Sequence, residues 1–153
     1  MTRINLVNVE YLADQHLHSE RREIKMVPAA LRRSLKTRRI DDILINISTR
    51  YTLNTGHVKF FYPRMKFLTE RYKLLTNELL IRRFNLSNPS DDFGQYTYDI
   101  PDAFKTDSWH PDKKEVDINV ERICMRISEK PNWYRYYGER VEEGYFDEMY
   151  NSL

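Results

Sequence analysis

A single cysteine, Cys124, stands in this chain of 153 residues, so no intrachain disulfide can brace the fold. It falls near the apolar face of a predicted helix with nothing beside it to activate it, and reads as an inert, buried thiol. With that one cysteine and four scattered histidines (His16, His18, His57 and His110), no zinc-type ligand spacing occurs, and neither a metal nor a cofactor is expected. His16 and His18, two apart, point to different sides of a helix. No apolar run is long enough to span a bilayer and no signal-peptide pattern is present, which makes an intracellular, soluble protein the expectation. Repeats and low-complexity segments are also absent.

What the chain has is charge and aromatic rings. Charged residues make up 31% of it, yet the net charge is only +2, because the two signs are segregated. Residues 139–153 carry Glu139, Glu142, Glu143, Asp147 and Glu148 against Arg140 alone, a net of −4, which leaves +6 on residues 1–138. A basic body with an acidic tail points to a polyanionic partner, nucleic acid being the commonest. The length suits one domain, 1–138, followed by a partly ordered acidic tail, 139–153.

Hydrophobic periodicity predicts three helices, hence an all-α domain with long connecting loops. Residues 3–10 alternate polar and apolar and read as an extended arm laid on the body. The first helix spans roughly 14–37, with Asp14 as a plausible cap and a bend at Pro28, one turn beyond Glu23. Residues 38–62 form a long connection with a turn at Asn54-Thr55-Gly56-His57. The second helix spans about 63–83, opened by Pro63, with Met65, Leu68, Tyr72, Leu75 and Leu79 as its buried stripe. Arg82 and Arg83 sit where a helix dipole favours cations. Residues 85–110 read as loop. The third helix spans about 111–129, with Val116, Val120, Ile123 and Ile127 as its stripe and Arg122 and Arg126 beside it. Beyond it lies the densest aromatic stretch, Trp133-Tyr134-Arg135-Tyr136-Tyr137-Gly138. Those rings can pack on the first helix or offer stacking surfaces for bases.

At about 100° per residue the first helix separates into two faces. Ala13, Leu17, Ile24, Val27, Leu31 and Leu35 lie on one side. Gln15, His16, Ser19, Arg22 and Glu23 lie on the other. Such a face is either ordinary solvated surface or the lining of a site, and the residues alone leave both open.

The blocks Thr2-Arg3-Ile4-Asn5-Leu6, Leu12-Ala13-Asp14-Gln15-His16-Leu17 with Glu20, Arg22 and Glu23, Gly56-His57-Val58 with Phe60-Phe61-Tyr62, and Trp133 to Gly138 resemble the pyrimidine-dimer DNA glycosylases of T-even phage type. The resemblance runs over roughly residues 1–138. It implies a compact three-helix protein with its N-terminal arm passing between helices. It further implies a monomer acting on ultraviolet-induced pyrimidine dimers in duplex DNA, in the cytoplasm of a host cell. It assigns the α-amine of Thr2 as nucleophile and Glu23 as catalytic carboxylate, in a glycosylase and abasic-site lyase that works through a Schiff base and β-elimination. Arg3, Gln15, His16 and Arg22 would line the site and hold phosphates. Arg122, Arg126, Trp133 and Arg135 would complete the DNA-binding surface.

Elementary chemistry is consistent with that assignment. An α-amine has an ordinary pKa of about 7.7–8.0 against about 10.4 for lysine, so part of it is neutral at pH 7, and neighbouring arginines lower it further. It must be free, so Met1 has to be removed, as a small second residue permits. The sequence departs from the family in places. Met26 stands where the family has a basic residue, and Lys25 next to it is turned about 100° away on a helix. Arg126 replaces a lysine and keeps the charge. Residues 88–92, near the family's flipped-base pocket, follow the pattern poorly. The acidic tail could shield the basic groove. Two other readings stay open: a DNA-binding relative without catalysis, and an enzyme of the same mechanism shifted to oxidised bases or abasic sites.

Overall fold

The structure, a computed structural model, describes residues 3–153. Its helices are α1 (Asp14–Glu23), α2 (Met26–Leu35), α3 (Ile40–Ile45), α4 (His57–Phe60), α5 (Met65–Ile81), α6 (Gly94–Thr97), α7 (Lys113–Glu129) and α8 (Tyr145–Asn151). Short 3-10 turns occupy Val9–Tyr11 and Asp102–Phe104. Two strands, β1 (Arg135–Tyr136) and β2 (Glu139–Arg140), pair antiparallel, with Arg135 opposite Arg140 and Tyr136 opposite Glu139. The fold is mostly helical, and no described helix is long and apolar enough to cross a membrane.

The first helix is two helices, and the break lies before Pro28, not at it. A proline ring clashes with the carbonyl four residues back, here that of Ile24, and cannot donate to it. The ladder therefore lapses at Ile24-Lys25, where the Val27 N–H takes the Ile24 carbonyl at 3.2 Å in a tighter turn. Pro28 sits in the first turn of α2, where its N–H would lack an intrahelical partner in any case. Glu23 is thus the last residue of α1.

Helix α5 starts two residues later than Pro63, and its stripe of Met65, Leu68, Tyr72, Leu75 and Leu79 is wholly buried. Helix α7 is opened by a capping box: Asp112 accepts the Glu115 N–H at 2.8 Å and Glu115 accepts the Asp112 N–H at 3.2 Å. Its Ile123 is buried, with Val116, Val120 and Ile127 packed around the core edge. The connections 38–62 and 85–110 contain α3, α4 and α6, elements of four to six residues. Such short pieces complete barely one turn or two and leave little periodicity to read.

Two buried ion-pair networks run through this core. Glu20 of α1 receives Arg71 of α5 through both its oxygens, at 2.7 and 3.1 Å. Arg82, which caps the C-terminal end of α5, is fully enclosed. It donates to Asp14 at 2.9 Å, to Glu78 at 3.0 Å and to the Leu12 carbonyl at 2.8 Å, and lies 4.5 Å from the centre of the Tyr136 ring. Asp14 is correspondingly not the cap of α1; Ala13 occupies that position. Its carboxylate accepts Arg82 and the Tyr137 and Gly138 N–H groups, at 3.1 and 2.7 Å. Charged groups this deep cost several kcal/mol each unless paired and bonded as these are.

Residues 139–153 contribute β2 and α8. Phe146 and Tyr150 of α8 are buried, and the Tyr150 hydroxyl donates to the Tyr11 carbonyl at 2.8 Å. Helix α8 lies against Cys124 and Ile127 of α7, and burial together with the Asp147 carboxylate pushes the Cys124 thiol up to about 11. On α7, Arg122 and Arg126 point roughly 160° away from Cys124. Helix α8 therefore lies on the opposite side of α7 from those arginines.

Candidate active site

Residues 3–7 form neither helix nor strand, so their backbone polar groups must find partners elsewhere. Side chains from several elements supply them. The Ile4 N–H donates to His57 Nε2 at 2.8 Å, and the Ile4 carbonyl accepts the Tyr51 hydroxyl at 2.9 Å. The Leu6 and Val7 N–H groups both donate to Asn119 Oδ1, at 2.7 and 3.1 Å, and the Val7 carbonyl accepts Arg71 at 2.7 Å. The Asn5 side chain bridges two helices, donating to Glu20 of α1 and accepting from Asn119 of α7, both at 2.8 Å. His57 Nδ1 lies 2.7 Å from the Thr52 carbonyl. That contact assigns the proton to Nδ1 and leaves Nε2 as the acceptor, and burial holds the ring's pKa below its ordinary value, favouring this neutral form.

This network fixes the course of residues 4–7, and Arg3 precedes them. Arg3 donates to the Leu53 carbonyl at 3.0 Å. Burial first, then the charges of Arg122 and Arg126, hold its guanidinium below the ordinary value, while Tyr51 and Glu23 act in the opposite sense. Arg3, Arg122, Arg126 and Glu23 therefore belong to one electrostatic cluster, although they come from the arm, from α7 and from the end of α1. Arg22 adds its charge from 3.9 Å beside Glu23 and is largely exposed. Arg122 also donates to the Asn54 side chain at 3.3 Å, which brings the 54–57 turn to the same edge. Arg126 is partly exposed and 3.4 Å from Glu129. Thr2, assigned as nucleophile from the sequence, and Met1 lie outside the described residues.

The aromatic stretch closes the site's other side. Gln15 uses both ends of its amide on that backbone, donating to the Trp133 carbonyl at 2.7 Å and accepting the Arg135 N–H at 3.0 Å. With Asp14 holding Tyr137 and Gly138, α1 grips the whole segment from Trp133 to Gly138. The grip leaves Trp133 and Tyr137 about half exposed and Arg135 exposed to solvent, its guanidinium donating to the Gly138 carbonyl at 3.2 Å. His16 stacks on Tyr134 with ring centres 4.7 Å apart, and its Nδ1 has no hydrogen-bond partner among the described residues. Burial, reinforced by Arg126, lowers its pKa to about 4. At neutral pH His16 is an uncharged ring in the DNA-free protein.

Lys25, beside Met26, is engaged by groups of the protein. It pairs with Asp91 at 3.7 Å and lies over the Tyr96 ring at 5.2 Å, on the α5–α6 side. Asp91, in the 88–92 loop, also accepts the Tyr72 and Tyr96 hydroxyls, at 3.0 and 2.5 Å, and Arg21 donates to the Asn88 carbonyl at 2.8 Å. The loop is thus tied to the junction of α1 and α2.

The sequence alone assigns no role to the residues that pin the arm: Asn5, Glu20 and His57, which it shows only within the family-like blocks, and Tyr51, Arg71 and Asn119. One signal was available for Asn119, a polar side chain set among the apolar stripe positions Val116, Val120 and Ile123.

An arm ordered by buried side chains, a carboxylate near several arginines, and half-exposed aromatic rings thus occur together. The family model for pyrimidine dimer DNA glycosylases matches residues 1–92. The chain belongs to that family. The matched span holds Arg3, Gln15, His16, Arg22, Glu23 and His57, and ends before α7 and the Trp133 segment.

Proposed function

We propose that this glycosylase acts at ultraviolet-induced pyrimidine dimers in duplex DNA as a monomer, and that it cleaves the backbone as an abasic-site lyase after removing the base. In the chain that begins at Thr2, the neutral α-amine attacks C1′ of the 5′ nucleotide of the dimer. The glycosidic bond breaks and its electron pair leaves with the pyrimidine, which stays joined to its neighbour through the dimer. Loss of the amine proton and opening of the sugar give the Schiff base, protonated as an iminium. Removal of a C2′ proton then expels the 3′ phosphate by β-elimination.

Glu23 is the catalytic carboxylate. It stabilises positive charge as it develops on the sugar and then carries the C2′ proton. Arg3, Arg22, Arg122 and Arg126 hold phosphates on either side, supplying the salt-dependent part of affinity. Trp133 and Arg135 meet DNA from the edge that Gln15 holds, and His16 contributes a neutral ring. The observation that carries this reading is the shared electrostatic cluster of Arg3 with Glu23, Arg122 and Arg126. It supports an amine one residue before Arg3 working beside that carboxylate.

Borohydride trapping on a panel of lesion duplexes tests the proposal. A covalent adduct with dimer-containing duplex, stronger than with oxidised-base duplex, is the expected result. Salt-sensitive binding without any adduct would contradict it.

A further inference from the structure

Glu20 and Glu23 lie one turn apart on α1, and Asn119 and Arg122 lie one turn apart on α7. Between the two helices runs a continuous buried chain of hydrogen bonds, from Glu20 to the Asn5 side chain to Asn119, with each link at 2.8 Å. The same Asn119 oxygen takes two successive N–H groups of the arm, and His57 takes a third. The arm is thereby fixed to the helix that carries Glu23 and to the helix that carries Arg122. Asn119 and His57 are almost wholly buried, and both accept N–H groups of the arm.

We propose that Asn119 and His57 are positioning residues that set the register of residues 3–7, and through it the place of the terminal amine relative to Glu23. This rests on the proposed amine mechanism. Asn5 is three residues from position 2, a reach of about 10 Å of extended chain. If the arm were released at residues 4–7, the amine would sample a volume far larger than a near-attack geometry allows. A displacement near 1 Å costs about 100-fold in rate. Of the side chains proposed to hold DNA only Arg3 belongs to the arm, so most of the affinity for the lesion survives the loss.

The test uses the full chain beginning at Thr2, with Asn119→Leu, His57→Phe and His57→Gln. His57→Phe keeps the ring packed against Tyr51 and Phe61 but offers no acceptor, whereas the carbonyl oxygen of His57→Gln can take the Ile4 N–H. Three quantities are measured: the dissociation constant for dimer duplex, the single-turnover borohydride trapping rate, and hydrogen exchange at the Ile4, Leu6 and Val7 amides. Asn119→Leu and His57→Phe are expected to trap at least tenfold more slowly, with dissociation constants within threefold of the parent and faster exchange at the arm amides. His57→Gln is expected to recover most of the rate lost by His57→Phe.

Trapping at the parent rate in folded variants overturns the inference, as does a rate loss matched by an equal loss of affinity. If Asn119→Leu does not fold, the His57 pair decides alone. Absence of an adduct with the parent protein defeats the amine mechanism itself, a different outcome from a parent that traps alongside unaffected variants.

Discussion

The Gln15 amide bonds the backbone on both sides of Tyr134, donating to the Trp133 carbonyl and accepting the Arg135 N–H. Gln15 thereby holds the aromatic edge in place. Gln15→Met, which keeps the bulk and loses both bonds, is expected to lower stability by about 1–2 kcal/mol in urea denaturation. Its affinity for duplex DNA should fall about fivefold as Trp133 and Arg135 lose their placement. A variant with parental affinity would show that the edge does not depend on this grip.

The Glu20–Arg71 pair is buried on both sides and also anchors Asn5 and Val7. Arg71→Met strands the carboxylate, at a cost of about 3–5 kcal/mol. Adding Glu20→Gln removes the stranded charge and should restore a large part of that loss. Equal destabilisation in the single and double variants would mean that packing, not the unpaired charge, sets the cost.

His16 and His57 both have lowered pKa values, mainly through burial, His16 to about 4. A histidine ordinarily titrates near 6.5, so between that pH and about 4 the unfolded chain binds protons that the folded protein refuses. Stability is fully present above about pH 6.5 and falls as the pH drops toward 4, with His16 contributing on the order of 3 kcal/mol to the fall. Chemical denaturation from pH 7 to 4.5 should show the decline, and His16→Phe should flatten part of it. A parental slope in His16→Phe would remove His16 from the account.

Helix α8 is joined to the core through Phe146 and Tyr150 and sits on the side of α7 away from Arg122 and Arg126. Phe146→Ala should cost about 3–5 kcal/mol. It should leave binding to undamaged duplex at ~0.15 M salt within twofold, because at that ionic strength charges more than about 8 Å apart are screened. Tighter nonspecific binding by the folded variant would support a shielding role for the acidic segment.

The apolar stripes of the long helices were legible because a period of 3.6 leaves its mark on every buried position, as Met65 to Leu79 illustrate. The basic pair Arg122 and Arg126 and the polar face around Glu23 were legible as residue types on faces. Arg82 and Asp14 were not, because arginine and aspartate are normally solvated, and only the fold reveals that they meet each other beneath Tyr136. The break at Ile24 was misplaced by one turn because a proline acts on the carbonyl four residues before it. The capping box at Asp112 and Glu115 was readable from its spacing. The further use of Glu115, accepting the Tyr51 N–H at 2.8 Å, depends on tertiary contact.

The central claim is that an arm-borne amine and Glu23 act as one site. The most direct measurement maps the borohydride adduct by peptide mass, using dimer duplex and protein beginning at Thr2, beside protein that retains Met1 and beside Glu23→Gln. The expected result is an adduct on Thr2, none on the Thr2 nitrogen when Met1 is retained, and lesion binding without strand cleavage in Glu23→Gln. An adduct on a lysine, or undiminished cleavage by protein that retains Met1 or lacks the Glu23 carboxylate, would contradict it.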